Sequence, residues 1–196
     1  MLWVSKTLRS NGACISPQNC NANEILDLTI NNGLQSNCRM YAIVLTEILL
    51  SLGYKARMIK CLPMDLRFTE CHCMCIVYCD FYNKWIVMDP SLGGIYYDEN
   101  RIPMNIFEIR EAIISNKQID ILYLPNNKKN VLQYLCKNLI RFQCNLISRY
   151  NNESKVSNNT FIYLNPKYYY ISNKYCADNN NNNHIFVSNP YIFWDI

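Results

Sequence analysis

Histidine is scarce in this chain: His72 and His184 are the only two in 196 residues, so chemistry that needs an imidazole base has two places to find one. No apolar run approaches the roughly 20 residues that span a bilayer, and the opening MLWVSKTLRSN lacks the apolar stretch of a signal peptide. The expectation is a soluble, cytoplasmic chain with no membrane partner. The 19 Lys and Arg against 15 Asp and Glu give a net charge of +4, but they form no dense block and no stripe interleaved with aromatics, so nucleic acid is not expected as a partner. No loop carries the alternating acidic spacing of a calcium site, and neither a metal nor another cofactor is expected. Internal repeats and sharp composition breaks are missing too. With half of the residues hydrophobic, residues 1–196 read as a single domain around one core.

Cysteine, in contrast, is abundant. There are 11, an odd number with no export signal, which favours reduced thiols over a disulfide framework. Asparagine is frequent as well, and the tract DNNNNNH reads as a surface loop.

The periodicity predicts α+β structure. A short amphipathic segment stands near the start, and another covers residues 23–30, with Asn23 as its cap and NNG to close it. The clearest helix runs over residues 38–52. Tyr41, Val44, Leu45, Ile48, Leu49 and Leu52 recur at helical spacing between Asn37, a capping residue, and Gly53, a stop. The period then shortens. YKARMIKCL and CHCMCIVYC alternate as strands do, the second with His72, Met74, Ile76 and Tyr78 on one face and cysteines on the other. A turn at DFYNK leads to WIVMD, which Pro90 ends, and IFEIREAIISNK reads as a further helix. One helix followed by an antiparallel meander is an α+β pattern.

Cys38 opens that helix, and a helix N-terminus favours a thiolate through its unpaired N–H groups and dipole. A thiolate that attacks a carbonyl needs a base beside it, and His72 begins the second strand after the helix. The base needs an orienting carboxylate, and Asp89 ends the following strand. A two- or four-residue loop between the two strands sets His72 and Asp89 on one face as direct or diagonal neighbours; an odd loop without a bulge separates them.

With Cys38, His72 and Asp89 in this order, NCRMYAIVLTEILLSLGYKARMI and ECHCMCIVYCDFYNKWIVMDPSLGG resemble the transglutaminase-like superfamily. The likeness covers about residues 20–112, leaving 113–196 as an extension packed on the core or capping the cleft. It implies a papain-like α+β core in which the nucleophile helix packs on an antiparallel sheet. It also implies Cys38 as nucleophile, His72 as general base and Asp89 as its partner, in thioester-mediated acyl transfer or hydrolysis at an amide. The implied substrate is a peptide or protein amide, and the acyl acceptor is water or an amine. Asn37 and Met74 stand where members often have a small and an aromatic residue, which bears on substrate more than on chemistry. An oxyanion hole would use the Cys38 N–H, with Gln35 or Gln18 as candidates for the second donor.

Other readings compete. The fold without the chemistry would serve as a protein- or peptide-binding domain. Cys71, Cys73, Cys75 and Cys79, with Cys61, suggest zinc, but successive same-face positions on a strand lie about 7 Å apart, which favours core packing. YLNPKYYYI suits either a binding platform or a strand over the core. Lys128, Lys129, Lys137 and Arg141 read as a solvated basic face, and His184 as an exposed loop residue without a role.

Overall fold

The computed structural model describes residues 1–65, 70–123, 128–154, 159–166 and 183–194. It is an α+β protein built on one large, mostly antiparallel sheet, with six α-helices among the described residues. In chain order the elements are α1 (Leu2–Thr7), β1 (Arg9–Ser10), α2 (Ala22–Asn32), β2 (Gln35–Ser36), α3 (Cys38–Ser51), β3 (Ala56–Leu62), β4 (His72–Cys79), β5 (Lys84–Asp89) and β6 (Gly94–Tyr97). There follow α4 (Ile106–Ile114), β7 (Asp120–Leu122), α5 (Lys128–Asn138), β8 (Arg141–Asn145), β9 (Phe161–Leu164), β10 (His184–Val187) and α6 (Pro190–Trp194).

Eight strands form the sheet in the order β10-β9-β8-β3-β4-β5-β6-β7, every pair antiparallel except β9 and β10. Residues beyond 113 thus add strands to both flanks of the meander. The two short strands β1 and β2 pair in parallel apart from this sheet.

Strand β4 lies inside the sheet and is buried on both faces. Cys75 and Val77 pack with Ile43, Val44 and Leu45 of α3 and Ile25 of α2, whereas Met74 and Ile76 pack with Ile106 and Ile109 of α4 and Leu135 of α5. A strand covered twice has no polar face, which is why cysteines and a methionine fill it.

Local chemistry sets the element ends. In α3, Asn37 is extended and its side chain accepts from the Met40 N–H, while Gly53 takes a φ of 85° beyond the C-cap Leu52. Residues 40–47 of this helix are buried, but Leu52, its C-cap, is exposed. In α2 the cap is Asn21, not Asn23: Asn21 is the extended residue whose side chain accepts from the Glu24 N–H, and Asn23 already lies in the first turn. Gly33 closes this helix at a φ of 68°. In α4, Asn105 and Glu108 form a reciprocal capping box.

Two surface expectations change. His184 is not a loop residue; it begins β10, half-buried against the rings of Phe161, Tyr163 and Phe186. Arg141 is buried instead of solvated, and its Nε donates to the Pro63 carbonyl. Lys137 is exposed as expected, paired with Glu70. The asparagines at 179–182 and the tyrosines at 168–170 lie outside the described residues. No helix among the described residues is long and apolar enough to cross a membrane.

Candidate active site

Cys38 is the first residue of α3, so its N–H is among the four that have no acceptor within the helix. The Asn37 side chain takes the Met40 N–H and donates to the Cys14 carbonyl, which holds the helix mouth against the N-terminal segment. The helix is anchored a second time by Arg39, whose Nε and Nη2 reach one oxygen of Glu153 at 3.1 and 2.8 Å.

Four residues, Asp80–Asn83, join β4 to β5, with Asn83 in the left-handed region at a φ of 49°. The resulting register runs from Cys79↔Lys84 to Cys75↔Met88. Continued by one position it opposes Asp89 to Met74, so His72 is the diagonal neighbour of Asp89 on the same face. The side chains meet: His72 Nε2 lies 2.6 Å from Asp89 Oδ2, with both residues buried.

The carboxylate is held from every side. Asp89 Oδ1 accepts from the backbone N–H groups of Ser91 and Leu92 and from the Ser91 hydroxyl, and the Tyr96 hydroxyl stands 3.3 Å from Oδ2. Burial works against the charge, but His72 and these donors keep the Asp89 carboxyl below the usual carboxylate range. Burial also disfavours an imidazolium at His72; the charge and hydrogen bond of Asp89, with the Cys38 sulfur behind them, outweigh it and push the group up to about 10.

With Nε2 committed to Asp89, Nδ1 is the ring nitrogen left for the thiol. Cys38 has hydrogen-bonding neighbours in the Cys73 thiol and the His72 ring, and its Sγ is 3.9 Å from the Cys71 carbonyl. The Cys73 hydrogen bond, then the bond and charge of His72, overcome burial and bring the Cys38 thiol down to about 4. The single S–H of the fully buried Cys73, shared between the Cys38 and Cys71 sulfurs, stays bound and its group is pushed well up, while Cys71, with the Lys60 charge also nearby, falls to about 6. Around neutrality Cys38 and His72 therefore form a thiolate–imidazolium pair.

The pair opens on a cleft of about 630 Å³. Asn37, Cys71 and Cys73 line it beside Cys38 and His72, and Tyr134 and Lys137 reach it from α5. The Tyr134 ring meets His72 edge-on with centroids 5.4 Å apart, and its hydroxyl stands 3.5 Å from the Cys71 carbonyl.

The structure thus brings Cys38, His72 and Asp89 together and leaves both glutamines out. Gln35 is exposed and accepts from the Asn11 side chain, Gln18 is exposed, and neither lines the cleft. Cys61 lies on the His72 face of the sheet while Cys73 and Cys75 lie on the other, and among the described residues no group of three or more His, Cys, Asp or Glu is placed to hold a metal ion. Tyr134, Tyr96 and Cys73 were not legible as site residues. Tyr134 follows His72 by 62 positions on an unrelated helix, and only Cys73 carried a sequence signal, its adjacency to His72.

Comparison of the chain with protein-family models, with curated proteins and with solved structures finds no match.

Proposed function

We propose that this chain is a cysteine acyl-transfer enzyme with a papain-like, transglutaminase-like core, acting on the amide bond of a peptide or protein. The observation that carries the reading is the chain of contacts from the helix-end thiol of Cys38 through His72 to the buried Asp89, at the wall of an open cleft. A lone buried cysteine needs none of these partners.

In the proposed reaction the Cys38 thiolate adds to the amide carbonyl carbon, and the carbonyl electrons move onto oxygen. The Cys38 N–H at the start of α3 is the first donor for that oxyanion. The tetrahedral adduct collapses to a thioester, and His72 gives its proton to the departing amine. Water or a second amine then attacks the thioester, His72 takes the proton back, and the product leaves as an acid or a new amide. Asp89 keeps the imidazole oriented and supports its positive charge throughout.

The test is alkylation with iodoacetamide at pH 5 of the Cys71→Ser protein, mapped over its remaining cysteines, because Cys71, itself brought down to about 6, would label at a comparable rate. A thiol of pKa near 9 is about 10⁻⁴ ionised there, whereas Cys38 is mostly thiolate; its lower intrinsic nucleophilicity takes back about two powers of ten, leaving it ahead by tens-fold. At neutral pH these two effects nearly cancel and the experiment would not discriminate. Selective labelling of Cys38 that disappears in His72→Ala is the expected result and justifies screening amide substrates against amine acceptors. If Cys38 reacts no faster than its neighbours at pH 5, the catalytic reading falls and a binding domain remains.

A further inference from the structure

The cleft at Cys38 does not end at the thiol. A second hollow of about 300 Å³ adjoins it, with Arg39, Lys60 and Cys73 lining both, and reaches Gln143, Glu153 and Phe161 on its far side. The sheet register explains the continuity. Lys60 on β3 is opposed to Cys73 on one side and to Gln143 on the other, so the three side chains share the face that carries α3. Lys60 therefore stands on the floor of the groove one strand away from the strand beside Cys38.

The charges along the groove are nearly all paired. Arg39 is held by Glu153, Lys137 by Glu70, and His72 by Asp89 and the Cys38 sulfur. Among the described residues Lys60 has no acidic partner. It is half-buried, so its ammonium is screened less than a surface charge. Both nearby carboxylates, Glu70 and Glu153, are committed to other cations. No carboxylate neutralises Lys60; the anion that feels its charge is the Cys71 sulfur, which it helps to ionise, and an ammonium with only a thiolate near it where two hollows join attracts an anion brought in by the substrate.

We propose that Lys60 forms an anion-binding subsite beside Cys38, and that the preferred acyl donor carries a carboxylate, such as a glutamyl or aspartyl side chain, next to the carbonyl under attack. This rests on Cys38 being the nucleophile. It assigns to Lys60 the selection of substrate, a property that the Cys38–His72–Asp89 geometry leaves open. The neighbouring Gln143, whose amide donates to the Tyr163 hydroxyl, forms the neutral far wall.

The experiment uses two alkylating probes that differ by one charge: N-bromoacetyl-glutamate α-amide and N-bromoacetyl-glutamine α-amide. Alkylation rates at Cys38 are measured by mass spectrometry in the wild type, Lys60→Met, Lys60→Gln and Lys60→Arg. The glutamate probe should react at least about fivefold faster than the glutamine probe in the wild type, the preference should fall below about twofold in the Met and Gln variants, and Arg should restore it, since a unit charge a few ångströms away is worth this much at a protein surface. High salt should reduce the wild-type ratio. The same preference in Lys60→Met and Lys60→Gln as in the wild type would assign the field to the His72 imidazolium and overturn the subsite, as would no preference in the wild type. Selective iodoacetamide labelling of Cys38 at pH 5 in the Cys71→Ser protein separates the two failures: with it intact, only the Lys60 subsite falls; without it, the nucleophile falls first.

Discussion

His72 Nε2 and Asp89 Oδ2 stand 2.6 Å apart, 2% and 0% exposed, at positions that the sheet makes diagonal neighbours. A carboxylate and an imidazole so far from water are tolerable because each is the other's counter-charge, and because the Ser91 and Leu92 N–H groups take the second carboxylate oxygen.

Removing one partner leaves a buried charge alone. Asp89→Ala should destabilise the fold by about 3–5 kcal/mol, read from urea denaturation. His72→Ala together with Asp89→Ala should cost clearly less than the two single losses added, because the second deletion removes a group already unpaired. Additive losses would mean that the contact contributes nothing.

The Cys38 thiolate should appear far into acid. The ultraviolet absorbance of the thiolate, taken as the difference between wild type and Cys38→Ser, should rise with a midpoint near pH 4. In His72→Ala the midpoint should move up toward the ordinary thiol value of 9.0, since one of the groups that stabilise the anion is gone. A wild-type midpoint at 8 or above would remove the ion pair.

Stability should follow the same ionisations. Cys38 has its thiol depressed to about 4 from 9.0, so its contribution is full above pH 9 and is lost as pH falls through 4. His72 is raised to about 10 from 6.5, so its contribution is full below pH 6.5 and is lost as pH rises through 10. Between 6.5 and 9 the slopes cancel. The stability advantage of wild type over Cys38→Ala should therefore shrink steadily from pH 9 to pH 4, and urea midpoints across that range check it. An advantage that grows on acidification would contradict the pair.

Glu47, buried in α3, accepts from the backbone N–H groups of Ala22 and Asn151 at 2.7 and 2.8 Å. It ties the start of α2 and a distant loop to the nucleophile helix. Glu47→Leu strands both donors and should cost about 1–3 kcal/mol by denaturant titration. A neutral result would place the junction in contact with water.

The order of helix, strands and turn over residues 38–89 was readable in the sequence because it rests on local rules. Apolar spacing, the Asn37 cap and Gly53 act within a few positions, whereas the parity of the turn left two outcomes for His72 and Asp89, and the four-residue connection in the structure decided that they share a face. The cap of α2 was read two residues late because Asn21 and Asn23 are chemically equal, and only the extended backbone at Asn21 separates them.

What only the tertiary structure decided is the surroundings of the thiol. Cys73 beneath Cys38, Tyr134 against the His72 ring, Tyr96 behind Asp89 and Lys60 in the groove come from a neighbouring strand position, a helix and strands brought in by sheet pairing. The exclusion of Gln35 and Gln18 was decided there too, by the Asn11 contact and by exposure. Residue type and short spacing determine which groups are able to react; long-range pairing and packing determine which of them meet, because no local energy term links residues that lie on separate helices and strands.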